Sequence, residues 1–291
     1  MASLESFSES QVPAELIISG VTKIHASISM LESLRPSKIV NSLFTQLVKL
    51  CTLPSSIDIH TLPPEVQLMR ESLISLCGRA EGLLELEYSI FFSKFSYPLD
   101  ELTLFPYYGN YVKLALLEYN ILCQSGMEQP KSVAFVGSGP MPLTSIVMAT
   151  RHMTTTQFVN FDIDELANRM ARELVGTDAE LKRRMKFTTC DIMSVREELG
   201  SFDCIFLAAL VGMKKEEKVK IIGHIRKYMR SGGLLLVRSA NGAKAFLYPI
   251  VEEEDLHGFE VVSIFHPKDD VINSVVLVRK PPMGRDEVCL C

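Results

Sequence analysis

The spacing of hydrophobic residues divides the chain into two halves near residue 120. In the first half, apolar residues recur every three or four positions, which is the period of an amphipathic helix. This spacing predicts three helices, over residues 15–34, 37–50 and 64–92. From Ser132 onward, continuous apolar runs alternate with helical segments, which is typical of a mostly parallel sheet covered by helices on both faces.

The first apolar run of the second half ends in a glycine-containing loop. VAFVG leads into Ser138 and Gly139, and Gly137 closes the strand itself. Glycine has no Cβ, so a ligand can approach the loop backbone closely. The next run, QFVNFD, ends on Asp162, whose carboxylate is placed to accept both hydroxyl groups of a ribose. The pattern predicts a nucleoside-binding βαβ unit, and the alternative is an ordinary strand, turn and helix with two glycines.

Two prolines after this loop favour a nucleoside that carries no phosphate. Pro142 stands where a dinucleotide fingerprint needs a small residue. Pro140 and Pro142 also remove N–H groups that would bind a pyrophosphate. S-adenosylmethionine is the ligand that this pattern indicates. Asp191, which follows the next apolar stretch, MKFTTCDI, supports nucleoside binding as well.

Seven apolar runs follow residue 131, and the last two, EVVSIFH and SVVLVRK, are joined by the turn-prone PKDDVIN. This order predicts an antiparallel hairpin at the edge of the sheet. The predicted fold class is α/β, a Rossmann-like seven-stranded sheet of the S-adenosylmethionine methyltransferase type preceded by an all-α N-terminal domain. The predicted units are a helical domain that covers the active site, a Rossmann-like nucleoside-binding domain and a tail expected to be disordered, over residues 1–118, 119–281 and 282–291.

Composition argues against several classes of function. The chain has 291 residues and a net charge of -5, which gives no electrostatic footprint for nucleic acid. It has no run of 18 apolar residues and no secretion signal, so we expect a cytoplasmic protein without an integral membrane segment. Its seven cysteines and six histidines lack metal-ligand spacing, which predicts reduced thiols and no metal site. A homo-oligomer is left open.

Polar aromatic residues crowd the turn between the two halves, FPYYGNYVKLALLEYN. Tyr107, Tyr108 and Asn110 lie in this turn, just before the helix that leads into the sheet. They either seal the interface between the domains or line a pocket above the carboxyl ends of the strands, where open α/β sheets bind ligands. On these residues alone, sealing the interface is the better interpretation.

Several longer motifs resemble those of plant nicotianamine synthases in content, order and spacing. They are LFPYY-NY, VAFVGSGPMPLTSIV, NFDID-AN, FLAALVGM-KEEKVK, RSA-GA-AFLYPIV and GFEVVSIFHP-D-VINSVV. The similarity extends from about residue 64 to residue 280. It implies an enzyme that condenses three S-adenosylmethionine molecules into nicotianamine, a metal chelator, and releases three 5′-methylthioadenosines. It implies no metal and no cofactor beyond the substrate S-adenosylmethionine.

This resemblance also selects candidate site residues. Glu81 lies at the edge of an apolar helix face beside Gly82, with Glu85 one turn later on the same side. On sequence alone Glu81 reads as a solvated residue paired with Arg79. The resemblance makes it the base or ammonium holder, with Tyr107 orienting the same substrate group. Weaker candidates are Tyr108 and Asn110. The predicted nucleoside-binding residues are Gly137, Ser138, Gly139, Pro140, Asp162, Asp164 and Asp191.

The chain departs from the family pattern at Asn241, where the family has His, at Lys244, where it has Arg, and at Gly109. None of these departures removes a proposed catalytic group. Two other functions stay open at this stage. One is a plain S-adenosylmethionine-dependent methyltransferase, and the other is a non-catalytic regulator that retains the nucleoside pocket.

Overall fold

A computed structural model describes residues 11–282 of the chain. Within these residues four helices precede the first strand, the three that the apolar spacing predicts and the one that leads into the sheet, and four more lie between strands. The helices are α1 (Ala14–Ser29), α2 (Lys38–Cys51), α3 (Pro64–Phe92), α4 (Tyr108–Gln124), α5 (Leu143–Val147), α6 (Glu165–Val175), α7 (Ala179–Arg184) and α8 (Lys215–Tyr228). No helix within residues 11–282 is both long enough and apolar enough to cross a membrane.

The first helix is shorter than its predicted range of 15–34. It ends at Ser29, and Ile28 is the last of its residues that is buried. Leu31 and Leu34 continue the apolar spacing, but they pack against the same core from the loop that follows. The periodicity therefore extends beyond the helix because the loop also delivers apolar side chains to the core.

In the part of the chain that the structure describes, seven strands form one sheet. They are β1 (Ser132–Val136), β2 (Gln157–Asp162), β3 (Met185–Thr189), β4 (Cys204–Leu207), β5 (Leu234–Ser239), β6 (Glu260–Phe265) and β7 (Ser274–Arg279). Their order across the sheet is β3-β2-β1-β4-β5-β7-β6. The first five strands are parallel, and β7 lies antiparallel to both β5 and β6. The predicted edge hairpin is thus confirmed.

Helices cover both faces of the sheet. On one face, α4 and α5 pack against alternate residues of the central strands, including Phe135 and Leu236. On the other face, α8 contributes Ile222 and Ile225 to a separate core. The continuous apolar runs of the strands follow from this double coverage.

The N-terminal helices bring α3 to the carboxyl ends of the strands. Helices α1, α2 and α3 share a core with residues 240–247, which follow β5. Helix α3 also contacts α6 beyond β2. The proposed boundary at residue 118 falls inside α4, where Glu118 pairs with Arg238 of the sheet. Helix α4 therefore packs against the sheet core on both sides of that boundary.

Candidate active site

A cavity of about 810 Å³ lies between α3 and the carboxyl ends of the parallel strands. Its walls come from the loops after β1, β2, β3 and β4 and from one face of α3. Among the lining residues are the predicted candidates Glu81, Gly137, Ser138, Gly139, Pro140, Asp162, Asp164 and Asp191. Most of the site residues predicted from the sequence therefore line this one cavity.

The loop after β1 requires its two glycines. Gly137 has a φ of +80° and Gly139 a φ of +65°, a region that residues with a Cβ rarely adopt. A Cβ on Gly137 would overlap the side chain of Val211, and one on Gly139 would lie 2.7 Å from Glu85 Oε2. The loop therefore packs its bare backbone against the β4 loop and against α3.

Asp162 ties this loop to the end of β2. Its Oδ2 accepts a hydrogen bond of 2.8 Å from the Gly139 N–H, and its Oδ1 accepts one of 3.0 Å from the Asp164 N–H. Each oxygen keeps a second lone pair for a ligand. Asp164 caps α6 through the Leu166 N–H, and Asp191 caps a short turn through the Met193 N–H. Both of these carboxylates thus shape the rim of the cavity.

Two carboxylates of α3 face the cavity together. Glu81 Oε2 accepts a 2.8 Å hydrogen bond from the Tyr248 hydroxyl. The Tyr111 hydroxyl lies 2.9 Å from Glu85 Oε1 and 3.3 Å from Glu81 Oε1, and its single proton can be given to one of them at a time. Glu81 is therefore not the solvated residue paired with Arg79 that its sequence position suggested.

The pocket environment alters the protonation of these groups. Burial raises the pKa of Glu81, while hydrogen bonds from Tyr248 and Tyr111 and the charge of Arg238 oppose that rise. Burial and then the neighbouring Glu81 hold the pKa of Glu85 well above its ordinary value. The two carboxyl groups thus titrate as a pair that favours holding one proton.

A buried ion pair lies beside them. Arg238 of β5 donates from Nε and Nη2 to the two Glu118 oxygens, at 2.7 and 3.0 Å, and from Nη2 to Thr144 Oγ1 at 2.6 Å. Its guanidinium also stands 5.2 Å from the centre of the Phe135 ring. This arrangement fixes the guanidinium at the wall of the cavity, which Arg238 and Thr144 both line.

A smaller cavity of about 140 Å³ adjoins the first one, between α2, α3 and α4. Its walls include Tyr107 and Asn110, which the first cavity lacks. The Tyr107 hydroxyl interacts with Thr45 of α2, and Asn110 Nδ2 donates to the Asp270 carbonyl. Five residues line both cavities and mark their junction: Glu81, Glu85, Tyr111, Tyr248 and Asn273.

Tyr108, a predicted binding residue, lines neither cavity. Its hydroxyl accepts a hydrogen bond from Arg151 on the opposite side of α4. Tyr108 is the first residue of that helix, so its side chain is rotated by about 100° around the helix axis from that of Tyr107. Tyr111, one turn after Tyr107, reaches the junction instead.

Sequence reasoning missed Tyr111, Arg238, Tyr248 and Asn273 as site residues. The spacing of four residues from Tyr107 to Tyr111 was a usable signal, since such positions share a helix face. Arg238 was a second signal, because a charge at the end of a fully buried run needs a partner. Tyr248 and Asn273 stood inside the motifs AFLYP and VINSVV, and only the fold shows where they point.

Departures from the family pattern lie outside this junction. Asn241 is exposed and lines neither cavity. Lys244 is buried, and its ammonium donates to the carbonyls of the loop before β7, at Pro267, Asp269 and Val271. Gly109 has open space around its Cα.

Comparisons with known proteins agree with this geometry. The family model described as "Nicotianamine synthase protein" matches residues 9–284. Nicotianamine synthase of Solanum lycopersicum is 52% identical over 267 residues, which cover 92% of this chain and 84% of that protein. Nicotianamine synthase 3 of Arabidopsis thaliana is 53% identical over 272 residues, with coverage of 92% and 85%.

Solved structures show the same fold. A mutant of MtNAS in complex with S-adenosylmethionine matches with a TM-score of 0.75 at 21% identity, covering 91% of this chain and 98% of that one. MtNAS in complex with MTA and tNA matches with a TM-score of 0.75 at 20% identity, covering 92% and 98%. These similarities show that the predicted fold class is correct, including the helical N-terminal part.

Proposed function

Because the chain belongs to the nicotianamine synthase family, we propose that it condenses three S-adenosylmethionine molecules into nicotianamine and releases three 5′-methylthioadenosines. The observation that carries this proposal is the carboxylate pair Glu81 and Glu85, which lies against the glycine loop. A methyl transfer to a neutral acceptor does not need a buried anionic group beside the nucleoside. Transfer to an amine does, because the amine arrives as an ammonium ion.

Each residue group has a role in this reaction. Gly137, Gly139 and Asp162 hold the adenosine, with the Asp162 carboxylate on the ribose diol. The aminocarboxypropyl arm extends toward the junction of the two cavities, where its γ-carbon meets the attacking amine. Glu81 accepts the proton that the ammonium must lose, because an α-amino group has an ordinary pKa of about 8.

Each condensation can proceed without a covalent enzyme intermediate. The lone pair of the amine forms the new C–N bond to the γ-carbon, and the C–S bond breaks with its electron pair going to sulfur. Methylthioadenosine therefore leaves as a neutral thioether, and the released proton passes through Glu81 to solvent. In the last step an amine of the same molecule attacks, which closes the azetidine ring. We propose that these steps need no metal and that the protein acts in the cytoplasm.

The decisive experiment is incubation of the purified protein with S-adenosylmethionine alone. We expect mass spectrometry to detect nicotianamine and methylthioadenosine in a ratio of one to three, following the proposed stoichiometry. S-adenosylhomocysteine should not accumulate. Stoichiometric S-adenosylhomocysteine together with a methylated acceptor would establish the methyltransferase instead, and nucleoside binding without any product would indicate the regulator.

Replacing Asp162 should weaken nucleoside binding. In Asp162→Asn one carboxylate oxygen becomes an NH₂ group, so either the Gly139 N–H or the Asp164 N–H faces a donor. Loss of a charge-assisted bond costs about 1.5–3 kcal/mol, so calorimetry should show methylthioadenosine affinity reduced roughly tenfold or more. Asp178→Asn, at the cap of α7 outside the cavities, is the control. Unchanged affinity in Asp162→Asn would point to Asp164 as the ribose ligand.

The rate should depend on pH through the Glu81 carboxyl group. Burial raises the pKa of this group. As the pH is lowered, kcat/KM should therefore begin to fall at a pH above the ordinary glutamate pKa, which gives the profile an acid limb. The Tyr248 hydrogen bond opposes this rise. Tyr248→Phe should therefore move the acid limb to higher pH, whereas Tyr108→Phe should leave it in place. A limb that moves to lower pH in Tyr248→Phe would contradict Glu81 as the titrating group.

A further inference from the structure

One buried amide at the junction of the two cavities has no hydrogen-bond partner in the described chain. Asn273 is 7% exposed, and its Nδ2 is buried without an acceptor within residues 11–282. A donor left unpaired in this way is uncommon, because its hydration is lost and nothing replaces it. The side chain lines both cavities, so a ligand at the junction can supply the missing acceptor.

Arg238 offers further donors on the same side of the sheet. It pairs with Val275 across the antiparallel strands, so the two side chains share a face. Asn273 lies two positions before Val275, directly before the first residue of β7, and both Asn273 and Arg238 line the first cavity. While Nε and Nη2 of the guanidinium are held by Glu118 and Thr144, Nη1 has no partner among the described residues.

The charges around the junction suit an α-amino acid. Arg238 and Asn273 provide N–H donors on the sheet side, and Glu81 and Glu85 provide acceptors on the α3 side. An amino acid end group carries a carboxylate and an ammonium on one carbon, so it can use both sides at once. A group with the ammonium alone would leave the Asn273 amide unpaired.

We propose that Arg238 Nη1 and Asn273 Nδ2 bind the α-carboxylate of the aminocarboxypropyl arm of the donor S-adenosylmethionine. This inference rests on the proposed function and deepens it by assigning the binding site of that carboxylate. Holding the far end of the arm fixes the γ-carbon between the adenosine loop and the junction, where an amine can reach it. Arg238 and Asn273 are thus positioning and specificity residues.

The test uses ligands that cannot react. S-adenosylhomocysteine carries the same arm on a neutral sulfur, and S-adenosyl-3-thiopropylamine lacks only its carboxylate. In calorimetry the unaltered protein should bind the first roughly tenfold or more tightly than the second, as expected for a carboxylate with charge-assisted bonds. Asn273→Leu should reduce that ratio toward one while methylthioadenosine affinity stays unchanged.

Asn273→Leu is a suitable variant because no bond of its amide is lost within the described chain. Its thermal stability should be equal to or above that of the unaltered protein, which separates binding from folding. Asn241→Leu, at an exposed position outside both cavities, is the matched control. Conversely, Arg238→Gln leaves Glu118 buried without its partner and should unfold at lower temperature.

An unaltered protein that binds both ligands equally, or an Asn273→Leu variant that keeps the full ratio, would overturn the proposal. Neither ligand is turned over, so these results do not depend on the condensation reaction. A protein with the expected ratio that forms no nicotianamine would refute the proposed function and leave the carboxylate site standing. A protein that forms nicotianamine without this affinity ratio would refute the carboxylate site and leave the proposed function standing.

Discussion

Glu81→Gln should lower the rate of nicotianamine formation by roughly a hundredfold or more, the lower bound for loss of a general base. Glutamine keeps the size of the side chain and one oxygen that can accept from the Tyr248 hydroxyl. It removes the negative charge and the proton acceptor that the ammonium needs. The proposed adenosine contacts lie on the other side of the cavity, so methylthioadenosine affinity should change by less than about twofold.

Glu87→Gln is the matched control for this change. Glu87 lies on the same helix, six residues later, but it is exposed and lines neither cavity. Single-turnover rates measured by mass spectrometry should distinguish the two variants, with Glu87→Gln at the unaltered rate. Near-normal turnover of Glu81→Gln would mean that the amine loses its proton to Glu85, Tyr107 or water.

The apolar spacing was sufficient to predict the architecture because it reports burial directly. Strands covered on both faces must be apolar throughout, and this makes runs such as FVNFD and LLLV visible without any partner. The hairpin was visible for a similar reason, since its two runs are joined by a short polar turn. Helix ends are less visible, as α1 shows, because loop residues such as Leu34 also fill a core.

Candidate site residues that depend on local geometry could be predicted to lie together around one cavity. Gly137, Gly139 and Asp162 follow from the strand, turn and strand of one βαβ unit, within 26 residues. Glu85 follows from Glu81 through the helical period. Even here the structure adds a role, because Asp162 accepts a hydrogen bond from the Gly139 N–H as well as lining the cavity.

Partners that are distant in sequence could not be predicted in this way. Tyr248 lies 167 positions from Glu81, and Arg238 lies 120 positions from Glu118. No periodicity connects such pairs, since they meet only because the sheet places the end of β5 below α3 and α4. A family motif makes such residues candidates, but the contact that explains them requires the tertiary structure.

A methyl group at Gly137 should abolish most nucleoside binding. A Cβ there would overlap Val211 Cγ2, and the φ of +80° is itself unfavourable for alanine. Overpacking and backbone strain together are worth about 3 kcal/mol, so Gly137→Ala should bind methylthioadenosine roughly a hundredfold more weakly in calorimetry. The loops after β1 and β4 both line the cavity on the proposed adenosine side, and one of them must move.

Two further variants separate the clash from the strain. Gly126→Ala places the same methyl group at a φ of +87° with no atom within 4 Å, so it should lose stability and keep full affinity. In Gly137→Ala/Val211→Ala the clashing side-chain carbon is gone, and about tenfold of the lost affinity should return. If Gly137→Ala bound methylthioadenosine as tightly as the unaltered protein, the loop after β1 could not be the part that binds the nucleoside. Its backbone would then tolerate a displacement that moves the Gly139 N–H away from Asp162.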